Sequence, residues 1–179
     1  MDVLVIGDSI VHGGLDSEMG GWVARLKVHS MQKQLGDHVF GLGIGGNSTR
    51  NLLERAEVEI LARQNHVKSI IFGTGTNDMN QGIGLIEYRE SLGKLMAMAE
   101  KVDKKVYLMG MFLWVKDGQV VDSSAYDNAI KELCSNHGHT YIQTNDLIHS
   151  EDLVDGCHPN AGGHQKICNR VVKILSKGK

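Results

Sequence analysis

Short apolar, β-branched runs alternate with helix-patterned stretches along this chain, and each run stops at a glycine-rich or polar loop. The first run spans Val3 to Ile6 and ends at Gly7. Being apolar at every position rather than every second one, it fits a strand covered on both faces in a parallel sheet. Further runs occupy residues 38–40, 67–72, 105–110 and 140–142, each separated from the next by enough chain for a crossover helix. The intervening stretches carry helical spacing. Trp22, Leu26 and His29 line one face of the first, and Leu52, Leu53, Ala56, Ile60 and Leu61 the second. Leu92, Leu95, Met96 and Ala99 mark the third, and Tyr126, Ala129, Ile130 and Leu133 a fourth capped by Asp122 or Ser123. Ile167, Val171, Val172 and Leu175 mark the last. Strand and helix in alternation predict an α/β fold, a parallel sheet with helices on both faces joined by right-handed crossovers.

At 179 residues, without repeats or a linker-like change of composition, the chain is expected to form one domain over residues 1–179. Its 19 basic and 21 acidic side chains leave a formal net charge of -2, which gives no reason to expect a nucleic-acid partner. Cys134, Cys157 and Cys168 are an odd set without the CxxC spacing of a zinc or redox site, so free thiols are expected. With no signal-peptide pattern at the start and no apolar run near the ~20 residues a bilayer requires, the expected location is the cytoplasm, with no membrane span.

In sheets of this kind ligands bind beyond the carboxyl ends of the strands. The loops there hold most of the glycine clusters and the chemistry. Ser9 follows the first strand by two residues, and Gly7 lets the chain turn sharply and lift that hydroxyl to the sheet edge. A serine hydroxyl is a poor nucleophile until a base takes its proton. Of the nine histidines, His158 suits that task best. It lies after the last strand and before the last helix, three residues beyond Asp155 and just before Pro159, the one proline. That spacing lets the carboxylate hold Nδ1 of the ring and leaves Nε2 free to face Ser9. A hydrolase built on such a serine also needs donors at the oxygen that becomes negative. Gly46, in a glycine loop with no side chain in the way, and the neutral amide of Asn77 can supply them.

Four blocks in this order resemble those of the SGNH, or GDSL-type, hydrolases. They are Gly7-Asp8-Ser9-Ile10, the stretch from Gly41 to Ser48, Gly73-Thr74-Gly75-Thr76-Asn77-Asp78, and Asp155-Gly156-Cys157-His158. The resemblance spans nearly the whole chain. It implies a three-layer α/β/α, flavodoxin-like fold with five strands in the order 2-1-3-4-5. It also implies Ser9 as nucleophile, His158 as general base, Asp155 as its orienting acid, and an oxyanion hole from the Ser9 and Gly46 N–H groups and the Asn77 side chain. The partner would be a small-molecule ester, with no cofactor and no metal. Two positions depart from the family pattern. Gly41 stands where an asparagine commonly braces the glycine loop, and Ile10 replaces a leucine.

Other readings fit less well. Gly41-x-Gly43-x-x-Gly46 matches a dinucleotide fingerprint in form, but the acidic residue expected ~20 positions on is missing from residues 66–70. An aspartyl phosphatase would use Asp8 and a second aspartate two residues later, where Ile10 stands. Asp8 is better suited to holding the serine turn, and Asp78 is its counterpart in the third block. His137 and His139 lack further ligands at metal spacing. Cys157 reads as a small filler, Trp22 as a packing residue of the first helix, and Trp114 as a lining residue of the acyl or alcohol pocket. Residues 111–121 and 79–85 are expected to wall that pocket, and both are too short for a large lid.

Overall fold

In a computed structural model, residues 1–35 and 38–177 are described. Five parallel strands form the central sheet: β1 (Val3–Gly7), β2 (Val39–Gly43), β3 (Ser69–Gly73), β4 (Lys105–Met109) and β7 (Thr140–Ile142). They lie in the order β2-β1-β3-β4-β7, which is the predicted 2-1-3-4-5 once the two strands of a separate hairpin are set aside. Those two, β5 (Trp114–Lys116) and β6 (Gln119–Val121), pair antiparallel inside the segment expected only as a pocket wall.

The double burial expected of the strand runs is visible in the packing. Every residue of β1 and β3 is buried. Successive side chains alternate between two cores, as the period of two requires. Leu4, Ile6, Ile70, Phe72, Val106 and Leu108 join one cluster with helices α3 (Thr49–Leu61), α5 (Leu85–Glu100) and α6 (Ser124–His137). Val3, Val5, Ile71, Tyr107 and Met109 join the other, with α2 (Trp22–Gln32) and α7 (Ala161–Lys177). Each fully buried aliphatic or aromatic side chain contributes roughly 1.5–3 kcal/mol, so two such cores are enough to hold three layers together. The predicted helix faces are largely those buried, including Trp22, Leu26, Leu52, Ala56 and Ile60. Leu61 is exposed instead, because it terminates α3 beyond the core stripe.

Two boundaries differ from the sequence reading. The second strand runs on through Gly41 and Gly43, which the composition marked as loop. There a Cβ on Gly41 would lie 2.8 Å from Val23 Cγ1, and one on Gly43 would collide with the backbone of His12. Helix α6 uses both candidate residues at its start. Ser123 occupies the cap position, while the Asp122 carboxylate accepts the Ser124 N–H at 2.9 Å. Two short helices, α1 (Ser9–His12) and α4 (Thr76–Asn80), begin directly after β1 and β3 within the glycine-rich loops. No helix among the described residues is long and apolar enough to cross a membrane.

Candidate active site

The turn that presents Ser9 is built by exclusion. A Cβ on Gly7 would fall 2.3 Å from the Gly73 carbonyl and 2.4 Å from Val11 Cγ2, so glycine alone allows β1 to end against β3 and α1 at once. Asp8 then caps α1, its carboxylate accepting the Ile10 N–H at 2.9 Å. Gly13, at φ 91°, stops the helix after one turn, and the Gly13 and Gly14 N–H groups both return to the Ser9 carbonyl. Ser9 is therefore the first residue of α1, where a helix leaves its N–H without an intrahelical acceptor.

The histidine reaches Ser9 from the far end of the chain. A bridge between Leu153 and Pro159 and a bond from the Val154 N–H to the His158 carbonyl (2.9 Å) close the loop that carries it. Within the loop, one Asp155 oxygen accepts the Cys157 and His158 N–H groups at 3.0 and 2.8 Å. The other oxygen lies 2.8 Å from His158 Nδ1. His158 Nε2 lies 2.8 Å from Ser9 Oγ. Partial burial pushes the Asp155 carboxyl up, but the bonds from His158 and Cys157 outweigh it and hold the group below its ordinary range. An ionised Asp155 accepts a hydrogen bond from the Nδ1–H, and this network assigns Nε2 as acceptor for the Ser9 hydroxyl. At 24 % and 46 % side-chain exposure, His158 and Asp155 stand at the surface, open to a substrate from outside.

Facing them is the glycine loop after β2. The Asn47 N–H bonds the Ile44 carbonyl at 3.2 Å, closing a turn in which Gly46 holds φ 79°. Nothing lies within 4 Å of where a Gly46 Cβ would stand, so backbone conformation rather than space requires glycine there. A Cβ on Gly45 would be 3.9 Å from Ser9 Cβ, which puts this turn against the serine. Asn77, at the start of α4, donates its amide to the Asn47 carbonyl at 3.0 Å, so that side chain and the glycine turn share one corner with Ser9. Gln81 donates to the Gly46 carbonyl at 3.0 Å.

The two supporting aspartates are buried. Asp8 is 2 % exposed, and its carboxyl rises to about 6 because burial outweighs the amides of Ile10 and Val11 and the charge of His158. Asp78 is likewise raised by burial, against bonds from Thr49 and Thr74. Its carboxylate accepts the Thr49 N–H at the start of α3 and the Thr74 hydroxyl at 3.1 Å, tying the third block to the second. Both carboxylates thus bond to the loops that carry the site.

Three supports escaped the sequence reading. Arg55, on α3, donates from Nη2 to the Gly7 and Leu42 carbonyls (2.9 and 3.0 Å) and from Nε to the Asn47 side chain (3.0 Å). It braces the glycine loop that Gly41 cannot brace. His164, fully buried on the apolar stripe of α7, accepts the Trp22 N–H at Nδ1 and lies 3.3 Å from the Gly14 carbonyl through Nε2. A polar residue three and four positions from Ile167 and Cys168 on that stripe was its sequence signal. The β5–β6 hairpin is the third, and Asp117-Gly118 between apolar alternations was the signal for it. Trp114, expected in a loop after the fourth strand, instead lies in β5 and is buried. Cys157 is half-buried, and its thiol is pushed up to about 11 by burial and the nearby Asp155 and Asp8, which keeps it protonated. His137 and His139 lie beside the Glu100 carboxylate at the far end of α6.

The sequence model of the GDSL-like Lipase/Acylhydrolase family matches residues 5–166. The chain belongs to that family. It is an ester-hydrolysing enzyme with the SGNH hydrolase fold. Solved structures agree in architecture along nearly the full length. An alpha/beta hydrolase from the metagenome of Lake Arreo, Spain, superposes with a TM-score of 0.81 at 21% identity, over 98% of this chain and 94% of that one. Axe2, an acetylxylan esterase from Geobacillus stearothermophilus, gives 0.78 at 23% identity, over 96% and 92%. A GDSL-like lipase from Bacteroides thetaiotaomicron gives 0.77 at 16% identity, over 99% and 89%. Among curated proteins none matches in sequence.

Proposed function

We propose that this enzyme hydrolyses esters of small acyl groups through a covalent acyl-enzyme on Ser9, and that residues 1–179 act as one domain. The observation that carries the reading is the unbroken chain from Asp155 through His158 to Ser9, with 2.8 Å at each link. In the first step Ser9 Oγ bonds to the ester carbonyl carbon as its proton passes to His158 Nε2. Asp155 holds the ring tautomer and stabilises the imidazolium. The carbonyl oxygen, now negative, is received by the N–H groups of Ser9 and Gly46 and the Asn77 amide. His158 then gives its proton to the departing alcohol as the carbon–oxygen bond to it breaks. Water repeats the exchange, releasing the acid and restoring the Ser9 hydroxyl.

A small acyl group suits a site whose neighbouring segments are a two-strand hairpin and a short helix rather than a long lid. Within this reading, removal of acetyl groups from carbohydrate is favoured by the likeness to a protein described as an acetylxylan esterase. The three free cysteines fit work in a reducing cytoplasm. Turnover of a p-nitrophenyl acetate, an acetylated xylo-oligosaccharide and an acyl thioester, by the wild type and by Ser9→Ala, tests the proposal. Acetyl esters should be cleaved by the wild type and by none of the Ser9→Ala preparations. Undiminished cleavage by Ser9→Ala would refute the acyl-enzyme.

A further inference from the structure

The β5–β6 hairpin turns on Asp117 and Gly118 at φ 51° and 75°, the two left-handed residues of a tight two-residue connection whose twist matches the strands. Its register pairs Lys116 with Gln119, Val115 with Val120 and Trp114 with Val121. In an antiparallel pair closed this way, the residues flanking the turn exchange hydrogen bonds and the next pair does not. Val115 consequently directs its N–H and C=O away from β6. What they meet is the histidine loop. The Val115 N–H donates to the Gly156 carbonyl at 2.6 Å. The Val115 carbonyl oxygen lies 2.6 Å from where a Cβ on Gly156 would stand, and Gly156 itself holds φ 83°.

Gly156 lies between Asp155 and His158. The bonds within this loop, from Val154 to the His158 carbonyl and from Cys157 and His158 to Asp155, fix its shape, yet they would move with it as a unit. Val115 grips it from a different element. From these contacts we infer that β5 is a positioning strand for the histidine. Val115, acting through Gly156, sets where the His158 imidazole stands relative to Ser9. The inference rests on the acyl-enzyme reading above. It also gives the hairpin a task beyond walling the cavity of about 430 Å³ that Val120, Val121 and the start of α6 line on its other side.

Two variants test it from opposite sides of the contact. Val115→Pro removes one N–H that the β5–β6 ladder does not use, at a position where an extended backbone accepts proline. Gly156→Ala places a methyl against the Val115 carbonyl in a left-handed backbone. Since a displacement of ~1 Å in a catalytic group can lower a rate by ~100-fold, each variant should lose about 10- to 100-fold in kcat on p-nitrophenyl acetate. KM should stay within about two-fold, because substrate contacts are untouched. In an Asp155→Asn background the further loss from Val115→Pro should shrink to under about three-fold, since both changes act through one imidazole. A merely structural contribution would add in full. Thermal melting establishes that each variant is folded, and if Val115→Pro is not, Gly156→Ala decides by the same criteria. A folded variant with wild-type kcat, or full additivity with Asp155→Asn, overturns the positioning role. A wild type that neither cleaves the ester nor takes a fluorophosphonate label on Ser9 would instead remove the reading beneath it.

Discussion

Asp8 should stabilise the fold when it loses its charge. Its carboxyl is 2 % exposed and titrates at about 6 in the folded chain, against 3.8 when unfolded. The raised value means that the folded state prefers the neutral acid. The stability associated with that neutral form is complete below about pH 4 and is lost as pH rises through 6, where folding must bury a carboxylate. A gap of that size corresponds to about 3 kcal/mol above pH 7, at 1.36 kcal/mol per pH unit. Asp8→Asn keeps the side-chain oxygen that accepts the Ile10 N–H and removes only the ionisation. Urea unfolding of wild type and variant at pH 4, 5, 6, 7 and 8 should therefore give a stability difference near zero at pH 4. The difference should climb through pH 5 and 6 to a plateau of up to about 3 kcal/mol in favour of the variant. For a chain of this length that corresponds to roughly 6–12 °C in Tm at pH 8. A difference independent of pH, or a wild type more stable than Asp8→Asn at pH 8, would refute the claim that burial dominates this carboxyl.

Asn77→Ala should lower kcat on p-nitrophenyl acetate by about 100- to 1000-fold with little change in KM, as expected when an oxyanion donor is removed; steady-state kinetics decide it. Arg55→Ala leaves the Gly7 and Leu42 carbonyls and the Asn47 side chain without their shared donor, and should cost about 2–4 kcal/mol in urea unfolding. Arg55→Lys should recover little of that, because a single ammonium cannot replace the guanidinium's separate Nε and Nη2 donors to three acceptors. His164 is buried and its imidazole is held below the ordinary range by desolvation, so it folds as the neutral ring. Its contribution is present above about pH 6.5 and is lost as pH falls below that value. Replacing it with glutamine should flatten the decline in stability between pH 7 and 5, measured by the same unfolding series.

How much of this was legible in the sequence depends on the range over which each signal acts. Strands β1, β3 and β4 announce themselves because double burial writes unbroken apolar runs (Val3 to Ile6, Ile70 to Phe72, Val106 to Met109), and their order is what the family resemblance implies. The second strand was placed too early since Gly41 and Gly43 look like loop until Val23 and His12 are seen packed against them. Ser9, Asp155 and His158 could be singled out because they stand in blocks resembling the family's and local chain geometry suits each, a strand-ending turn for the serine and a three-residue reach for the acid. Arg55 could not. Its acceptors are backbone carbonyls of β1 and β2, and nothing in the α3 pattern separates it from a solvated arginine. The hairpin had a local signal in Asp117-Gly118, but its hold on Gly156 arises only when residues some forty positions apart meet. Loops that shape themselves can be read from sequence, and the contacts that seat them against one another require the fold.

The proton-sharing pair of Ser9 and His158 is tested most directly by intact-protein mass after exposure to a fluorophosphonate, followed by peptide mapping. One phosphonyl adduct should form, on Ser9, and His158→Ala should slow its formation by at least 1000-fold while the fold survives. A folded wild-type protein that takes no adduct, or takes it on another residue, would contradict the account.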